Sequence, residues 1–546
     1  MREPLAVLRL YPQHTGTLGS VLKSRAEVAS EREFLLFQGT RFTYRQTLEQ
    51  VERAAAMLHA RGVRAGDRLG VMSANHPSTV FLLLALARLG AAMVAVNPAY
   101  GMAEVRYVLT HGEVCGVVCS PEALPTVQSA IDETRERPWV MLNSPAESSP
   151  GEAGLPVFSD AVRAAPAMAP ETDIADAVCV FIYTSGTTGF PKGVMHSQRN
   201  LVMAGEGFVE RMHLQPEDRL LCVLPMFHVN AICYSLCGAL AAGATLILEP
   251  RFSASTFWQT VKETGATEVN TIAAANSILM RRPRSEYVPG HRLNKIYGAP
   301  FDAETFRVFQ NEFSVPTLIE GYGMSEIPGV LNNPFKGPHR IGSMGMPSLH
   351  PDRSIPLSEI AVVDEEGHPV PDGQVGELVV RTPIVMKGYY RDPDQTAAAF
   401  RDGWFLTGDL GRRDAEGYFW FVARKKDIIR KRGENISGAE LDAVVNSHPE
   451  VINSATIPVP SPLGEDDILV AVIRKPEAQL TAHDIADWCR ARLAPFKVPR
   501  YVVFVDELPL TPTHRVAKFK LREDTSLLAR AADLEDAQVL DGKDKG

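Results

Sequence analysis

A stretch rich in hydroxyl groups and glycine carries the side chains best suited to bind an anion. Its residues are Tyr183-Thr184-Ser185-Gly186-Thr187-Thr188-Gly189-Phe190-Pro191-Lys192-Gly193. Glycine lets backbone N–H groups approach phosphate oxygens closely, the Ser and Thr hydroxyls add donors, and Lys192 adds a positive charge. The composition therefore predicts a phosphate-binding loop. The alternative is a surface turn that binds nothing.

The apolar residues 178–182 precede this loop and predict a buried strand that presents it from a rigid edge. Two common nucleotide-binding loops do not fit. A Walker P-loop needs Gly-Lys-Ser/Thr at a fixed distance after its first glycine, which is not found after Gly186. No G-x-G-x-x-G opens a helix elsewhere, so a Rossmann site is unsupported. The phosphate must be held in another architecture.

The loop closely resembles the phosphate-binding signature of the adenylate-forming superfamily, which contains acyl-CoA synthetases, adenylation domains of peptide synthetases and luciferases. The resemblance implies that the loop grips the β- and γ-phosphates of ATP and that Thr188 and Lys192 are catalytic. The implied ATP-binding residues of the loop are Thr184, Ser185, Gly186, Thr187, Thr188, Gly189 and Lys192.

A second motif, Pro225-Met226-Phe227-His228-Val229-Asn230, stands at a predicted strand-to-helix junction. A lone histidine at such a place is more often a core or capping residue than a functional one. In the superfamily, a histidine or aromatic residue in this motif lines the acyl pocket beside the reacting carboxylate. The resemblance therefore implies that His228 contacts the acid, with Val229 and Asn230 beside it.

Two further motifs follow in order, Lys295-Ile296-Tyr297-Gly298-Ala299-Pro300 and Glu320-Gly321-Tyr322-Gly323-Met324-Ser325-Glu326. Small residues at a strand end let a flat base approach the backbone. Tyr322 can stack on adenine, Ser325 can donate to phosphate and Glu326 can hold Mg²⁺. Each motif alone could be a glycine-containing turn. Together they resemble the adenine and magnesium motifs of the superfamily, with Gly298, Ala299, Pro300, Gly321, Tyr322, Gly323 and Ser325 at ATP.

The walls of the acyl site are expected between His228 and Ile327. The expected lining residues are His228, Val229, Asn230, Lys295, Tyr297, Gly298, Met324 and Ile327. Tyr297 departs from the glycine often found in the superfamily, and a phenol there would shorten the site. Replacing Tyr297 with glycine should then extend the accepted chain length.

The motif Trp404-Phe405-Leu406-Thr407-Gly408-Asp409 ends in a carboxylate that can accept hydrogen bonds from a ribose diol, although a turn-forming aspartate is the simpler interpretation. A charged segment over residues 424–437 follows, and a solvated basic linker is its simpler interpretation. The resemblance implies that Arg424 is a second ribose ligand and Lys426 the hinge between domains. It also implies a path for the CoA pantetheine arm along Arg432, Gly433, Glu434 and Asn435. Arg430, Lys431 and Arg432 could meet CoA phosphates by charge.

One position departs from the superfamily pattern near the end of the chain. A Thr-x-x-Gly-Lys run is usual there, and its lysine bridges the substrate carboxylate and ATP during adenylation. Here the run is Thr511-Pro512-Thr513-His514-Arg515-Val516-Ala517-Lys518, so Arg515 occupies the position of that lysine. Arginine keeps the charge but is planar and bulkier. In an extended segment Lys518 points to the opposite face, so it replaces Arg515 only if the segment is coiled or slipped.

The elements that must position these motifs alternate between short apolar strands and amphipathic helices from about residue 40 to 320. Helices are predicted at 46–61, 80–89, 232–242 and 253–264, and strands at 69–72, 92–96, 220–224 and 245–248. This alternation predicts an α/β fold. After residue 328 proline and glycine increase, and short strands are predicted at 360–363, 376–380 and 418–422. A smaller α+β unit follows, with helices at 440–446 and 482–493 and strands at 455–459 and 468–473.

We therefore expect a large N-terminal domain of α/β subdomains with packed sheets and a β-rich subdomain, and a small mobile α+β C-terminal domain. The whole chain has 546 residues, which is more than a single hydrophobic core usually contains. The expected boundaries are 1–424 for the ATP- and acyl-binding domain, 425–525 for the C-terminal domain, and 526–546 for a flexible tail.

Composition narrows the function classes. The chain has 56 basic and 65 acidic residues, a net charge of −9, which argues against a nucleic-acid partner. No signal-peptide core or membrane-spanning apolar run is found, so a cytoplasmic protein without a membrane span is expected. The seven cysteines form no zinc-site spacing and are expected to be free thiols.

The resemblance covers residues 15–525 and predicts an ATP-dependent acyl-CoA ligase, with Mg²⁺ and with CoA as co-substrate. The segment 252–258 is similar to the carnitine and medium-chain ligase branches. Two alternatives stay open. One is an adenylating enzyme that passes the acyl group to an amine, a carrier thiol or another nucleophile. The other is a nucleotide- or acyl-binding protein that has lost catalysis. The acid and the oligomeric state, a homodimer included, are not fixed by the sequence.

Overall fold

The computed structural model of the chain describes residues 1–134, 137–144, 154–166, 171–184, 191–431, 434–461, 465–510 and 516–534, with the backbone alone at 426, 434 and 435. Within these residues the chain forms two compact units. The first consists of Met1–Ile360, Val380–Phe405 and Glu416–Phe419. The second consists of Ala361–Val379, Leu406–Ala415 and the chain from Trp420 onward. The α/β fold class and the smaller C-terminal unit predicted from the sequence are confirmed.

The strands are β1 Glu33–Phe37, β2 Thr40–Thr43, β3 Arg68–Met72, β4 Ala92–Val96, β5 Gly116–Cys119, β6 Trp139–Leu142, β7 Val178–Thr184, β8 Lys192–Ser197, β9 Arg219–Cys222, β10 Thr245–Leu248, β11 Glu268–Asn270, β12 Lys295–Gly298, β13 Thr317–Met324, β14 Ile327–Asn332, β15 Met346–Pro347, β16 Glu359–Val363, β17 Gly376–Arg381, β18 Phe400–Arg401, β19 Trp404–Arg413, β20 Phe419–Arg424, β21 Ile428–Lys431, β22 Glu434–Ser437, β23 Val451–Pro460, β24 Asp466–Arg474, β25 Tyr501–Phe504 and β26 Ala532–Asp533.

The α-helices are α1 Pro4–Leu8, α2 Leu18–Ala29, α3 Tyr44–Ala60, α4 Pro77–Leu89, α5 Met102–His111, α6 Leu124–Asp132, α7 Phe158–Ala164, α8 Gln198–Met212, α9 Cys237–Ala242, α10 Phe257–Thr264, α11 Ala273–Arg281, α12 Ala303–Asn311, α13 Pro393–Ala398, α14 Gly438–Asn446, α15 Ala482–Arg490, α16 Lys518–Glu523 and α17 Ser526–Arg530. Short 3₁₀ turns lie at Pro121–Ala123, Arg284–Glu286, Lys425–Asp427 and Pro495–Lys497, and a π-helix at Asn230–Leu236. No helix in the described residues is both long and apolar enough to cross a membrane.

Two mostly parallel sheets build the first unit. One has the order β6-β5-β3-β4-β7-β8, in which only the β7–β8 pair is antiparallel. The other has the order β15-β14-β13-β12-β11-β9-β10-β1-β2 and is parallel from β13 to β1. The carboxyl ends of parallel strands lie at a common edge of a sheet. The two predicted adenine motifs, at the ends of β12 and β13, therefore lie at the same edge of the second sheet.

Helix termini in this unit follow local capping chemistry. Helix α3 begins with a capping box in which Thr43 accepts from the Gln46 N–H and Gln46 binds back to the Thr43 N–H. Helix α8 has the same arrangement at Ser197 and Asn200. Helix α4 is buried on nearly every face and ends at Gly90 in the left-handed conformation, which glycine adopts without strain. It lies in one continuous apolar core with residues of both sheets.

A further sheet has the order β16-β17-β19-β18, with β20 paired to β19. The end of the chain forms the order β23-β24-β25-β26, in which β23 and β24 pair as a long antiparallel hairpin. Helix α14 packs on β23, and the apolar core beneath includes Ile429, Leu441 and Val470.

The expectation of a flexible tail is wrong for residues 526–534. Helix α17 buries Leu527, and β26 pairs with β25. The guanidinium of Arg500 holds the Asp533 carboxylate through two hydrogen bonds of 3.0 and 2.8 Å. Residues 535–546 lie outside the described part of the chain. The tail residues fold because a bidentate ion pair and a buried leucine fix them, which their polar composition did not indicate.

The structure also differs from the prediction at the helix expected over residues 232–242. The structure has a π-helix over Asn230–Leu236 that continues as α9. A π-helix widens the turn and shifts the side chains that follow it, and such segments are frequent at functional sites. Periodicity alone cannot distinguish this winding from an α-helix.

Candidate active site

The motif predicted to bind phosphate is flanked by two antiparallel strands that pair with each other. Strand β7 ends at Thr184 and antiparallel β8 begins at Lys192, and these two residues are directly opposed in the hairpin register. The central loop residues Ser185, Gly186, Thr187, Thr188 and Gly189 lie outside the described residues. The described ends therefore place Thr184 and Lys192 together at the tip of two paired strands.

Lys192 and Glu326 converge on one side chain, Tyr389. The Tyr389 hydroxyl donates a hydrogen bond of 2.8 Å to Oε1 of Glu326. The Lys192 ammonium lies 5.1 Å from the centroid of the same ring, within cation–π distance. Burial and the nearby Glu326 carboxylate raise the pKa of Tyr389, so the phenol stays protonated and acts as the donor.

Backbone hydrogen bonds hold this cluster together. The segment around Tyr389 runs beside β8: the Lys387 N–H donates to the Met195 carbonyl at 2.8 Å, and the Tyr390 N–H donates to the Gly193 carbonyl at 2.8 Å. In the same segment the Met386 N–H donates to the carbonyl of Glu326 at 2.8 Å. One short stretch thereby fixes the lysine strand and the glutamate turn to each other. Sequence analysis did not identify Tyr389, because a Tyr-Tyr pair after Lys-Gly was not recognised as a motif.

His196 is a further residue that sequence analysis missed. It lies on β8, is fully buried, and its Nε2 is 2.6 Å from the carbonyl oxygen of Ser325. Burial lowers the pKa of His196 to about 4, so the ring is neutral and Nε2–H donates to that carbonyl. The contact fixes the backbone immediately before Glu326.

The two predicted adenine motifs lie side by side. Strands β12 and β13 are parallel, with Gly298 opposite Glu320. The Glu320 carboxylate accepts hydrogen bonds from the backbone N–H of Phe301 at 3.1 Å and of Gly342 at 3.2 Å. Burial raises the pKa of Glu320 to about 7, although these two N–H groups act to lower it. Glu320 therefore ties the segment after Pro300 to β13.

The surface of this region fits a flat ring. Ala299 and Pro300 are exposed and Tyr322 is half-buried. A Cβ added at Gly298 would lie 2.9 Å from the Thr271 carbonyl, and one at Gly323 would lie 2.3 Å from the Gly329 nitrogen. Only glycine allows these close backbone approaches. Ser325 is partly exposed beside Glu326.

His228 occupies a turn that Asn75 organises. The Asn75 side chain donates to the Leu224 carbonyl at 2.9 Å and accepts from the Met226 N–H at 2.7 Å. The His228 N–H then closes a turn on the Pro225 carbonyl at 3.0 Å, and the π-helix begins at Asn230. His228 and Val229 are partly exposed.

The remaining residues predicted to line the acyl site differ in accessibility. Tyr297 is 4% exposed and packs edge-on against Tyr234 and Phe208. Ile327 is buried and Met324 is partly exposed. Lys295 stands at the start of β12, at the opposite end of the strand from Gly298, and its ammonium forms a buried 2.5 Å ion pair with Asp218. The structure does not bring that ammonium together with the other acyl-site residues.

Asp409 and Arg424, the two residues predicted to bind the ribose, contact each other within the second unit. Arg424 Nε lies 2.7 Å from Oδ1 of Asp409, whose side chain is 1% exposed. The Asp409 N–H is held by the Thr407 hydroxyl at 3.0 Å, and Glu377 accepts from the Gly408 N–H at 3.2 Å. The turn and the ion pair together fix the orientation of the carboxylate.

The segment predicted to contact CoA is partly described. Lys426 lies in the 3₁₀ turn Lys425–Asp427, and its side chain, with Arg432 and Gly433, lies outside the described residues. Glu434 and Asn435 pair through their backbone with Lys431 and Arg430. The idea that Lys431 meets CoA phosphates is wrong for this arrangement: its side chain is 6% exposed and its Nζ lies 3.4 Å from Asp467.

Arg515 lies outside the described residues, whereas Lys518 lies within them. Lys518 begins α16, and its Nζ is 2.6 Å from Oδ2 of Asp442. Burial raises the pKa of Asp442, and the Lys518 ammonium opposes that shift. Because Lys518 is committed to this ion pair, it is not available as a replacement for Arg515 in this arrangement.

The residues around Glu326 fit a magnesium ion that is bound chiefly through nucleotide phosphates. Among the described residues no group of three or more His, Cys, Asp or Glu side chains is arranged to enclose a metal. Mg²⁺ at phosphate-transfer sites typically uses one or two protein carboxylates, with waters and phosphate oxygens as its other ligands. Glu326 is partly exposed and offers such a carboxylate, oriented by Tyr389.

Comparison with known proteins identifies the family. The family model of AMP-binding enzymes matches residues 22–390, and that of the AMP-binding enzyme C-terminal domain matches residues 440–515. The chain is 34% identical over 519 residues to a sulfoacetate–CoA ligase of Cupriavidus necator, covering 94% of this chain and 99% of that protein. It is 30% identical over 511 residues to a crotonobetaine/carnitine–CoA ligase of Proteus mirabilis, with coverage of 91% and 97%.

A solved structure supports the same assignment. The crystal structure of ATP-bound MatB from Rhodopseudomonas palustris aligns with a TM-score of 0.81 at 29% identity, over 92% of this chain and 98% of that one. The superfamily predicted from the ordered motifs is thereby confirmed. This chain belongs to the AMP-binding enzyme family.

Proposed function

We propose that this chain is an AMP-forming acid–CoA ligase, which activates a carboxylic acid with ATP and transfers the acyl group to CoA. The observation that carries the proposal is the convergence of Lys192 and Glu326 on Tyr389, since it joins a phosphate-binding cation to a metal-binding carboxylate. The CoA ligases among its relatives support CoA as the acceptor. The use of ATP and CoA supports a cytoplasmic location.

The chemistry explains why two steps are needed. A carboxylate with a pKa near 4 is anionic at neutral pH and is a poor electrophile. In the first step a carboxylate oxygen attacks the α-phosphorus of ATP, the bond to the β-phosphate oxygen breaks, and pyrophosphate leaves. In the second step the CoA sulfur bonds to the acyl carbon, the bond to AMP breaks, and the thiol proton is released.

The hairpin and the glutamate turn would bind the phosphates. Lys192 with the loop from Thr184 to Gly189 holds the β- and γ-phosphates, and Ser325 donates to phosphate. Glu326 would hold Mg²⁺, which when bound offsets charge on the departing pyrophosphate. Tyr389 orients the Glu326 carboxylate, and His196 fixes the backbone before it.

Recognition of the nucleoside would use the two adenine motifs and the predicted ribose ligands Asp409 and Arg424. Tyr322 stacks on adenine, with Gly298, Ala299, Pro300, Gly321 and Gly323 as the backbone that the base approaches. Asp409 accepts from the ribose hydroxyls and Arg424 is its charged partner.

The acid would lie beside His228, Val229 and Asn230, with Tyr297, Met324 and Ile327 as further walls. Arg515 supplies the positive charge between the acid and ATP during adenylation. Residues Arg432 to Asn435 guide the CoA arm, and Lys426 is the hinge about which the smaller domain rotates between the steps.

Carboxylate-dependent exchange of labelled pyrophosphate into ATP tests the first step, using a panel of short aliphatic, dicarboxylic, sulfonated and aromatic acids. The expected result is exchange with at least one acid, dependent on Mg²⁺. The absence of exchange with every acid would reject an adenylating enzyme and leave a nucleotide- or acyl-binding protein.

Adding CoA tests the second step. A new species with the mass of the acyl-CoA thioester, formed with one AMP for each thioester, is the expected product. Exchange without thioester formation would instead favour an amine, a carrier thiol or another acceptor.

A further inference from the structure

A buried arginine lies behind the residues proposed to line the acyl site. Arg211, near the end of α8, is 3% exposed. Its guanidinium lies 5.2 Å from the ring centroid of Tyr297, 5.3 Å from that of Tyr234 and 5.7 Å from that of Phe208. Tyr297 directly precedes Gly298, and Tyr234 belongs to the π-helix that begins at Asn230.

The hydrogen bonds of Arg211 reach only neutral acceptors. Nη2 donates to the Gly329 carbonyl at 2.5 Å and to the Ser348 hydroxyl at 3.4 Å, and Nε donates to the Asn332 side-chain oxygen at 3.3 Å. Nη1 is buried and makes no hydrogen bond of normal length to the described residues. The positive charge is therefore offset only by dipoles and ring faces in the described part of the molecule.

The neighbouring phenols add further donors. Burial raises the pKa of both Tyr234 and Tyr297, so both hydroxyls are protonated. The two phenols hydrogen-bond to each other, which uses one of their two protons, and the Tyr297 hydroxyl also accepts from the Arg211 guanidinium, which can only donate. These three side chains, which we call the Arg211 cluster, thus carry a positive charge and more donors than acceptors.

A buried charge without a charged partner is costly, and a ligand that supplied the counter-charge would remove that cost. The Arg211 cluster is in contact with the proposed site. A Cβ on Gly321 would lie 2.2 Å from the Tyr297 hydroxyl oxygen, so the phenol tip touches β13, the strand that carries Tyr322 and ends just before Ser325 and Glu326. The same cluster also holds β14 through Gly329 and Asn332, but dipolar donors could do that without a charge.

We propose that the Arg211 cluster selects acids that carry a second oxyanion, a carboxylate or a sulfonate, at the end remote from the reacting carboxylate. This inference rests on the ligase function proposed above and names its substrate class. The second oxyanion accepts hydrogen bonds from the guanidinium and a phenol and neutralises the buried charge. Short acids are favoured, because the Tyr297 ring fills the space beside Gly321.

Acids matched in shape separate charge from size. Succinate, its monoamide succinamate and butyrate differ mainly at the far end, as do malonate, sulfoacetate and propionate at a shorter length. Acid-dependent exchange of labelled pyrophosphate into ATP, measured without CoA, gives kcat and KM for each acid. We expect kcat/KM to be at least about tenfold higher for an acid with a second oxyanion than for its neutral counterpart. The malonate and sulfoacetate arms distinguish a carboxylate from a sulfonate.

Variants assign the preference to the Arg211 cluster. Arg211→Met should reduce this ratio at least about tenfold, mainly through KM of the dianionic acids, and Arg211→Lys should restore part of it. Tyr297→Phe, which removes one donor and keeps the ring, should reduce the ratio less. Arg163→Met is the control, because the Arg163 side chain is 77% exposed and its ion pair is with Asp160 on its own helix.

Several results would overturn the inference. One is a wild-type enzyme that uses butyrate or succinamate as well as succinate. Another is an equal loss for all acids in a folded Arg211→Met protein, which would mean a structural role only. If Arg211→Met does not fold by circular dichroism, the wild-type ratio and Tyr297→Phe decide. Activity with neutral-ended acids alone leaves the ligase function standing and rejects this inference, whereas no activity with any acid rejects both.

Discussion

The Tyr389 hydroxyl donates a 2.8 Å hydrogen bond to the Glu326 carboxylate, across more than sixty residues of sequence. The ring of the same tyrosine faces the ammonium of Lys192. One side chain therefore sets the distance between the proposed phosphate-binding cation and the proposed metal-binding carboxylate. The two groups act on the same nucleotide only if that distance is maintained.

Tyr389→Phe should slow adenylation roughly 10- to 100-fold and shift the Mg²⁺ dependence to higher concentration, since an unheld carboxylate binds the metal less well. The measurement is pyrophosphate release against Mg²⁺ at saturating ATP. Tyr390→Phe is the matched control, because its hydroxyl donates to Glu113 at 2.6 Å. Equal behaviour of the two variants would contradict the role assigned to Tyr389.

Asp409→Asn should raise KM for ATP roughly tenfold or more, because a charged acceptor for the ribose is lost and Arg424 loses its partner. A comparison of ATP with 2′-deoxy-ATP identifies the contact. The wild type should discriminate between the two nucleotides, and the variant should discriminate less. Asp372→Asn is the control, since Asp372 forms a similar 2.6 Å contact with Arg413 on the surface. Unchanged discrimination in Asp409→Asn would place the ribose elsewhere.

Buried strands were predictable where they are continuous apolar runs. Residues 92–96 and 245–248 were predicted to the residue, and the strand before the phosphate loop extends two residues beyond its predicted end. The boundaries of helices that depend on tertiary packing were less accurate: the helix predicted from residue 253 begins at Phe257. Local periodicity identifies a buried strand, but the point at which a helix begins depends on contacts made by the folded chain.

The motif residues were found through their order in the sequence, whereas the residues that position them were not. Tyr389, His196 and Arg211 act on partners that are distant in sequence, through a side-chain hydrogen bond, a backbone carbonyl and packed rings. Nothing in their local spacing marks them. Lys295 shows the opposite error, since its place in a motif suggested the acyl site, but burial and Asp218 hold it in an ion pair.

Arg515→Met should lower adenylation on the order of a hundredfold, because it removes the positive charge proposed to lie between acid and ATP. Arg515→Lys should keep or raise the rate. Thioester formation from supplied acyl-AMP should change much less in both variants. The measurement is single-turnover formation of acyl-AMP, followed separately from its reaction with CoA.

Lys518→Met tests the alternative in which Lys518, rather than Arg515, supplies the positive charge for adenylation. Its ion pair with Asp442 predicts a loss of stability of roughly 1 to 3 kcal/mol and an adenylation rate within about twofold of the wild type in the folded fraction. The opposite pattern, in which a folded Lys518→Met protein cannot adenylate and Arg515→Met can, would show that Lys518 performs the lysine's role.

His196 makes the stability of the protein dependent on pH in the acidic range. Burial lowers the pKa of His196 to about 4 in the folded chain, against about 6.5 in an unfolded one. Between these values the unfolded chain binds a proton that the folded chain does not. The contribution of His196 is therefore fully present above pH 6.5 and is lost progressively as the pH falls toward 4.

His196→Gln should flatten this dependence. Between pH 6.5 and pH 5 the wild type should lose about 1.6 kcal/mol more free energy of unfolding than the variant, measured by urea titration at each pH. His368→Gln is the control, because the His368 side chain is 77% exposed, and it should lose as much as the wild type. An identical pH slope in wild type and His196→Gln would mean that the ring is not held neutral against the Ser325 carbonyl, and Glu326 would then lack the fixed backbone proposed for it.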